Sequence, residues 1–446
     1  MKSGVSIEGC IEALTAKGIH SVLAQFSDIH GVAKGKLVPL KYLREWVELG
    51  AGFAGPSIWG TGLGRLGSRS EYYGRVQIES LRPLPFMPGV AHAVCDGYAG
   101  GEALLTCSRQ LLKRQLDRLA ERGWTLWVGI EPEFFLLRRD EAGNWCGADA
   151  QDQLDKPSYD LKAIHRQQGF LEEMRSTLTE LGFDLEQMDH EDAPCQYEIN
   201  YRYDEALAAA DRYLLFKMTA HAVAQRHGMT FSCMPKPFAA APGSGLHFHL
   251  SLTDAQGLSV FSDSTDVLQL SGAGYAFVAG LLHHADALTA ICAPTVNSYK
   301  RLASSRSASG TTWSPVWKSF GDNNRTCLVR TVAGRLEWRL PDPSCNVYAA
   351  IAATLAAGLH GVDEELKAPA ACDSDLYEAM AFGALMPDRL PRDLSAALDA
   401  LAADGRLVSD VGEAFVREFI QLKRREWDEF AGHVSDWELR RYADGL

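Results

Sequence analysis

The sequence lacks any uninterrupted apolar run of the ~18 residues that a membrane-spanning helix needs. Its richest stretch, Tyr348 to Leu359, is short and Ala-rich and predicts a buried helix. No Cys-x-x-Cys pair occurs among the ten cysteines, which are scattered from Cys10 to Cys372. That pattern predicts reduced structural thiols, not a disulfide framework or a zinc site. Cationic excess is absent too: 44 Lys and Arg face 57 Asp and Glu, for a net charge of −13. Phosphate-backbone recognition needs clustered surplus Lys and Arg, so nucleic acid is not an expected partner. Met1 to Cys10 has no basic start followed by an apolar stretch, so no secretory signal is expected. Repeats and low-complexity linkers are missing as well. These absences predict a cytoplasmic globular protein with neither a membrane nor a nucleic-acid partner.

The 446 residues suffice for two or three domains. Residues up to about Thr106 are rich in Gly, Pro and short strand-like runs. From Ser108 the pattern turns helical, with Leu111, Leu112, Leu116 and Leu119 on one face and Gly123 as a stop. A boundary is therefore expected near residue 106. A second long helix is expected from Asp204, as N-cap, to His227, with Gly228 as its left-handed terminator. From about Gly412 to Tyr442 the chain reads as solvated helices.

Four short runs alternate with period two. Trp127 to Phe135 carries Glu131 and Glu133 at i and i+2, a spacing that points both carboxylates to one side of a strand. Gln196 to Tyr201 sets Gln196, Glu198 and Asn200 opposite Tyr197, Ile199 and Tyr201. Gly245 to Leu252 sets His247, His249 and Ser251 opposite an apolar face, and Arg335 to Leu340 groups Arg335, Glu337 and Arg339. Each alone is compatible with a half-buried strand whose polar side meets water. Together on one sheet they would converge as Glu, His and Arg. Carboxylates with one imidazole suit Mg²⁺ or Mn²⁺, and arginines among them suit an anionic substrate. The pattern predicts a metal-assisted enzyme acting on anions.

These runs resemble the glutamine synthetase family, and the match extends from about residue 20 to residue 443. It is carried by Gly129-Ile130-Glu131-Pro132-Glu133-Phe134-Phe135, by His190-Glu191 with Gln196-Tyr197-Glu198, and by Met234-Pro235-Lys236-Pro237 with Gly243-Ser244-Gly245-Leu246-His247-Phe248-His249. Asn297 to Leu302, Asn324-Arg325-Thr326 and Arg335 to Arg339 followed by Pro341-Asp342-Pro343 complete it. The resemblance implies an α+β fold: a small N-terminal β-grasp-like domain (1–105) and a catalytic domain (106–446) with an antiparallel half-barrel sheet flanked by helices. It implies two or more Mg²⁺ or Mn²⁺ ions per site, one on Glu133, Glu191 and Glu198 and another on Glu131, His247 and Glu337. ATP as co-substrate would meet Glu186, His249, Ser251, Arg325, Arg330 and Arg335. Glutamate would meet Gly243, His247, Arg301 and Arg339. Arg325 would face the transferred phosphoryl group, and Asp28 would help bind and deprotonate ammonium in a neighbouring subunit of a ring-shaped homo-oligomer, expected to be a dodecamer of two hexameric rings. As a plain sequence feature, Asp28 reads as a turn residue.

Three positions depart from the family pattern. Phe53-Ala54-Gly55-Pro56-Ser57-Ile58 has Ala54 where an acid is usual, Ser307 stands where the flap glutamate is usual, and Pro242 replaces an asparagine before the glycine loop. The first two remove charge and bulk from the amine side, which fits a primary alkylamine better than ammonium. Ser307 to Pro315 and Asp322 to Arg325 resemble the γ-glutamylmethylamide synthetase subgroup. An amine pocket of Ala54, Tyr159, Ser307 and Trp313 is expected, although Trp313 by itself reads as a packed core residue. The expected reaction is ATP-dependent ligation of L-glutamate to a primary amine through γ-glutamyl phosphate. The alternatives are glutamine synthetase using ammonia, and a catalytically silent structural or regulatory oligomer.

Overall fold

A computed structural model describes residues 6–67, 70–303 and 313–444. Its N-terminal part is a seven-stranded sheet of β1 (Ser21–Ser27), β2 (Ala33–Pro39), β3 (Ala51–Ala54), β4 (Glu71–Val76), β5 (Arg82–Pro83), β6 (Val90–Ala99) and β7 (Glu102–Ala103). The order is β2-β1-β6-β4-β3, with β5 and β7 also on β6. β1 and β6 run parallel, and the remaining pairs are antiparallel. Val22, Ala24 and Phe26 alternate inward from β1 and meet Leu14, Leu43, Val38 and Tyr72 in a core of their own.

The second sheet has ten strands: β8 (Thr125–Arg139), β9 (Trp145–Gly147), β10 (Leu185–His190), β11 (Gln196–Tyr201), β12 (Asp204–Glu205), β13 (Thr230–Ser232), β14 (Leu246–Thr253), β15 (Phe320–Asp322), β16 (Val329–Val332) and β17 (Arg335–Trp338). Its order is β10-β11-β8-β14-β17-β16-β15, with β9, β12 and β13 added on β8. The four alternating runs of the sequence are thus β11, β8, β14 and β17, in adjacent places. Pairing is antiparallel except between β15 and β16. Ile130, Phe134, Tyr197, Ile199, Phe248, Leu250, Leu336 and Trp338 turn to one core, where Tyr213, Phe216 and Ala220 of the helix Ala206–Arg226 join them.

That helix ends as its sequence predicts, with Gly228 at φ +69°. Its start differs. Asp204 pairs with Val128 in β12, and Glu205 occupies the N-cap without a side-chain hydrogen bond. Strand pairing to β8 satisfies Asp204's backbone, which removes the need for a side-chain cap. The helix Val347–Asp363 is buried along nearly its whole length, as the Ala-rich run predicts. Among the described residues no single helix is long and apolar enough to cross a membrane. All ten cysteines are free thiols.

The two sheets are joined through charge. Arg109, on the helix Ser108–Ala120, pairs with Asp96 of β6 and, at 2.8 Å, with Asp211. Lys113 reaches Asp96 at 2.6 Å, and Tyr348 Oη donates to Asp211 at 2.7 Å.

Candidate active site

Strand register brings the polar runs together. Glu198 lies opposite Glu133, His247 opposite Glu131, and His249 between Gly129 and Glu337. Parts of their shared face are buried: Glu198 and His247 are each 7% exposed and Glu337 1%. The reading of half-buried strands with water-facing polar sides fails at these three positions, while Glu131, Glu133 and His249 are half-buried and Arg335 is exposed.

One cavity of about 560 Å³ is lined by Glu131, Glu133, Glu191, Glu198, His247 and Glu337, together with Gly243, Arg301, Arg325, Arg330, Arg335 and Arg339. Glu133 is held by the backbone N–H of Gly245 at 2.9 Å and by Gln196 Nε2 at 3.1 Å. Only glycine fits at 245, since a Cβ there would lie 2.5 Å from His247 Nε2. Asn200 Nδ2 donates to Glu198 at 2.6 Å. His247 Nδ1 sits 3.4 Å from Glu131 and 3.5 Å from Glu337, while His249 Nε2 lies 2.7 Å from Glu131. Both imidazoles of the His-x-His strand thus face the Glu131–Glu337 pair. Glu337 also pairs with Arg330 at 2.6 Å and with Arg339.

The electrostatics divide the cavity. On the Glu133 side, burial pushes Glu133 up to about 8, with Glu191 adding to the effect, and pushes Glu191 up to about 7. Glu198 is raised well above the usual range, first by burial and then by Glu191, Glu131 and Glu133. Like charges this close, out of water, cannot all ionise without a counter-charge. On the Glu337 side, burial opposes ionisation, but Arg339, His247 and His249 outweigh it and hold Glu337 down at about 2. Burial, followed by the charge of Arg339, lowers His247 to about 4, leaving a neutral ring able to donate a lone pair.

Glu186 and Ser251 lie not here but in an adjoining cavity of about 530 Å³, which shares Glu131, His249 and Arg335 with the first. Trp127 and Tyr203 line it too, with edge-on rings 5.9 Å apart. Sequence reasoning missed both, although Trp127 shares the period-two face of Glu131. Arg301 is anchored through Leu340 O and Arg339 O, both at 2.9 Å.

The amine-side residues separate. Tyr159, in the left-handed region at φ +65°, and Trp313 line the acidic cavity. Trp313 is 43% exposed, so it is not the core residue its type suggests. Its indole Nε1 donates to Asp192 at 2.7 Å, and Ser158 Oγ donates to the other oxygen of Asp192. Asp192 was missed because one acid following Glu191 carries no pattern. Ala54 lies elsewhere in the same chain, in a separate cavity with Phe53, Pro56 and Glu71. Ser307 falls outside the described residues. Asp28 is buried, and its Oδ1 accepts from the backbone of His30 and Val32 at 3.0 Å each. The turn reading accounts for that geometry.

A buried, predominantly antiparallel sheet with crowded carboxylates on one face and five arginines around them defines a site for phosphorylated and carboxylated substrates. The sequence profile of the glutamine synthetase catalytic domain matches residues 105–442, and the chain belongs to the glutamine synthetase family. It is 45% identical over 427 residues to a glutamate–methylamine ligase of Methyloversatilis universalis, covering 95% of this chain and 96% of that one. It is 37% identical to a glutamine synthetase of Rhizobium leguminosarum bv. phaseoli, over 95% and 96%. Among solved structures it resembles a GmaS/ADP complex with a TM-score of 0.91 and 39% identity, over 98% of this chain and 99% of that one. Apo GmaS without ligand gives 0.90 at 37% identity, over 97% and 99%.

Proposed function

We propose that this protein ligates L-glutamate to a primary amine at the expense of ATP, through γ-glutamyl phosphate, giving a γ-glutamyl amide, ADP and phosphate. The end-to-end 45% identity to a glutamate–methylamine ligase carries the reading. The wall formed by Trp313 and Asp192 supports it, because an indole face beside a carboxylate suits an alkylammonium better than bare ammonium.

The donor set fits divalent ions. Glu198 is buried and Glu133 and Glu191 are half-buried; their crowding calls for a cation, and the three would hold one ion. Glu131, His247 and Glu337 would hold another, with His249 beside them. Carboxylate oxygens with one imidazole suit Mg²⁺ or Mn²⁺. When bound, the ions offset the charge of the ATP phosphates and the γ-carboxylate.

The chain's own residues do the rest. Glu186, His249, Ser251, Arg330 and Arg335 position ATP, with its base directed toward the Trp127–Tyr203 cavity. Arg301, Arg339, Gly243 and His247 orient glutamate. Arg325 faces the transferring phosphoryl group, where a guanidinium stabilises charge that develops only in the transition state. Tyr159, Trp313 and Asp192 admit the amine as its ammonium, which passes a proton to a neighbouring carboxylate and then attacks the acyl phosphate as a neutral nucleophile, expelling phosphate. Residues 1–105 and 106–446 act as two domains, and a neighbouring subunit in a dodecameric ring brings the edge at Ala54, with the Asp28 turn, to the amine side.

Phosphate release with glutamate, ATP and Mg²⁺ across a panel of amines tests the reaction. Methylamine or another alkylamine is expected to exceed ammonia in kcat/KM. Ammonia surpassing every alkylamine would overturn the amine reading, and no release with any amine would favour a silent oligomer. Sedimentation tests the assembly: full activity in a monomer contradicts it.

A further inference from the structure

Outside the acidic cavity, three histidines meet where two helices end. The helices Gly272–His283 and Val347–Asp363 pack closely because glycines line the contact: a Cβ at Gly280 would run into Ala357 O, and one at Gly361 into Ala276 O. That approach sets His283 and His284, at the end of the first helix, beside His360 in the last turn of the second. One nitrogen from each of the three lies within 4.8 Å of the others. His284 Nε2 and His360 Nδ1 are already 2.7 Å apart.

The ring of His284 is fixed from behind. Its Nδ1 lies 2.5 Å from Asp404 Oδ2, and the other oxygen of Asp404 accepts from Leu407 N at 3.0 Å as a helix N-cap. A carboxylate on Nδ1–H leaves Nε2 as a lone-pair donor, the arrangement that backs metal-bound histidines. Two nitrogens bound to one tetrahedral ion at 2.0–2.1 Å stand about 3.3 Å apart, so the His284–His360 pair needs to open only slightly. His283 is exposed and can swing in. Arg406, the guanidinium beside His360, is paired with Asp410 at 2.6 Å and with Glu364 at 3.6 Å.

We propose that His283, His284 and His360 bind one divalent transition-metal ion of the Zn²⁺, Ni²⁺ or Cu²⁺ type, at a site separate from the ligase cavity and with a fourth position open to water. Imidazole donors select these ions over Mg²⁺. The ion ties the ends of the two helices together.

Dialysis of the full-length protein against Zn²⁺ in excess Mg²⁺, followed by elemental analysis, tests this. His283→Ala and His360→Ala are each expected to hold one Zn²⁺ per chain fewer than the unmodified protein, and Glu337→Gln to retain that ion. Asp404→Asn is expected to weaken it about 10–100-fold. The Co²⁺-loaded protein is expected to show a nitrogen-rich visible spectrum that His283→Ala loses. His283 is exposed, so its variant should melt like the unmodified protein without metal, separating ligation from folding. Equal Zn²⁺ content in the unmodified protein and both histidine variants would overturn the proposal.

Discussion

Two groups of buried charge in this molecule contrast. At the junction of the sheets, Asp96 and Asp211 surround Arg109, with Lys113 and Tyr348 closing the set, so each acid has an opposite charge or a donor. On the ten-stranded sheet, Glu133, Glu191 and Glu198 face one another and are pushed upward by burial. The first group completes itself and holds two parts of the fold together. The second leaves its acids crowded against one another, which under the proposed function makes it the place for divalent cations.

The largest effect expected follows from removing charge at the site. Glu198→Gln, which removes charge from the crowded acids and strands no cation, should lower phosphate release on the order of a thousandfold or more, while leaving the melting temperature without metal nearly unchanged. Retained activity would contradict its role. The converse holds at the junction. Arg109→Met takes the guanidinium from buried Asp96 and half-buried Asp211, leaving them only Lys113 and the Tyr348 hydroxyl, and should destabilise the fold by about 3–5 kcal/mol in chemical denaturation. Mg²⁺ should raise the melting temperature of the Arg109→Met protein as it does that of the unmodified one, and a Glu133→Gln variant should lose most of that rise.

Acid sensitivity sharpens the contrast from a third place. His92, in β6, is fully buried, and neither ring nitrogen has a hydrogen-bond partner among the described residues. Burial, with Arg82 nearby, lowers it to about 4. A histidine depressed in the fold binds its proton first in the unfolded chain, near pH 6.5. Its contribution is therefore complete above that pH and is lost as pH falls toward 4, by up to about 3 kcal/mol. Urea midpoints at pH 7.5, 6 and 5 should fall less steeply for His92→Leu. A parallel slope in both proteins would place the acid sensitivity elsewhere.

The smallest expected effect concerns substrate choice. Trp313→Ala should raise KM for methylamine about tenfold, with ammonia changed far less, because one apolar contact is worth only about 1–3 kcal/mol. Equal changes for both amines would show that Trp313 acts through Asp192's position rather than by touching the alkyl group.

Much of the site could be read along the chain. Glu131 and Glu133 at i and i+2, Glu198 between Gln196 and Asn200, and His247 with His249 all announce their face, because a strand's period is short enough to appear within six residues. Asp204 misled because strand pairing with Val128 took up its backbone. For Trp313 residue type alone favours the core; only the resemblance pointed to the amine side, and its indole meets Asp192, 121 positions away.

By itself, then, the sequence determined the strands, their polar faces, the buried Ala-rich helix and the family, since these rest on local periodicity and on residues close together in the chain. Only the tertiary structure decided where those faces are buried, that they adjoin as β11-β8-β14-β17, and that Tyr159 joins Trp313 at the cavity while Ala54 does not. The His283–His284–His360 cluster belongs with these. Register, burial and helix contact join residues up to hundreds of positions apart, and no local pattern encodes such distances.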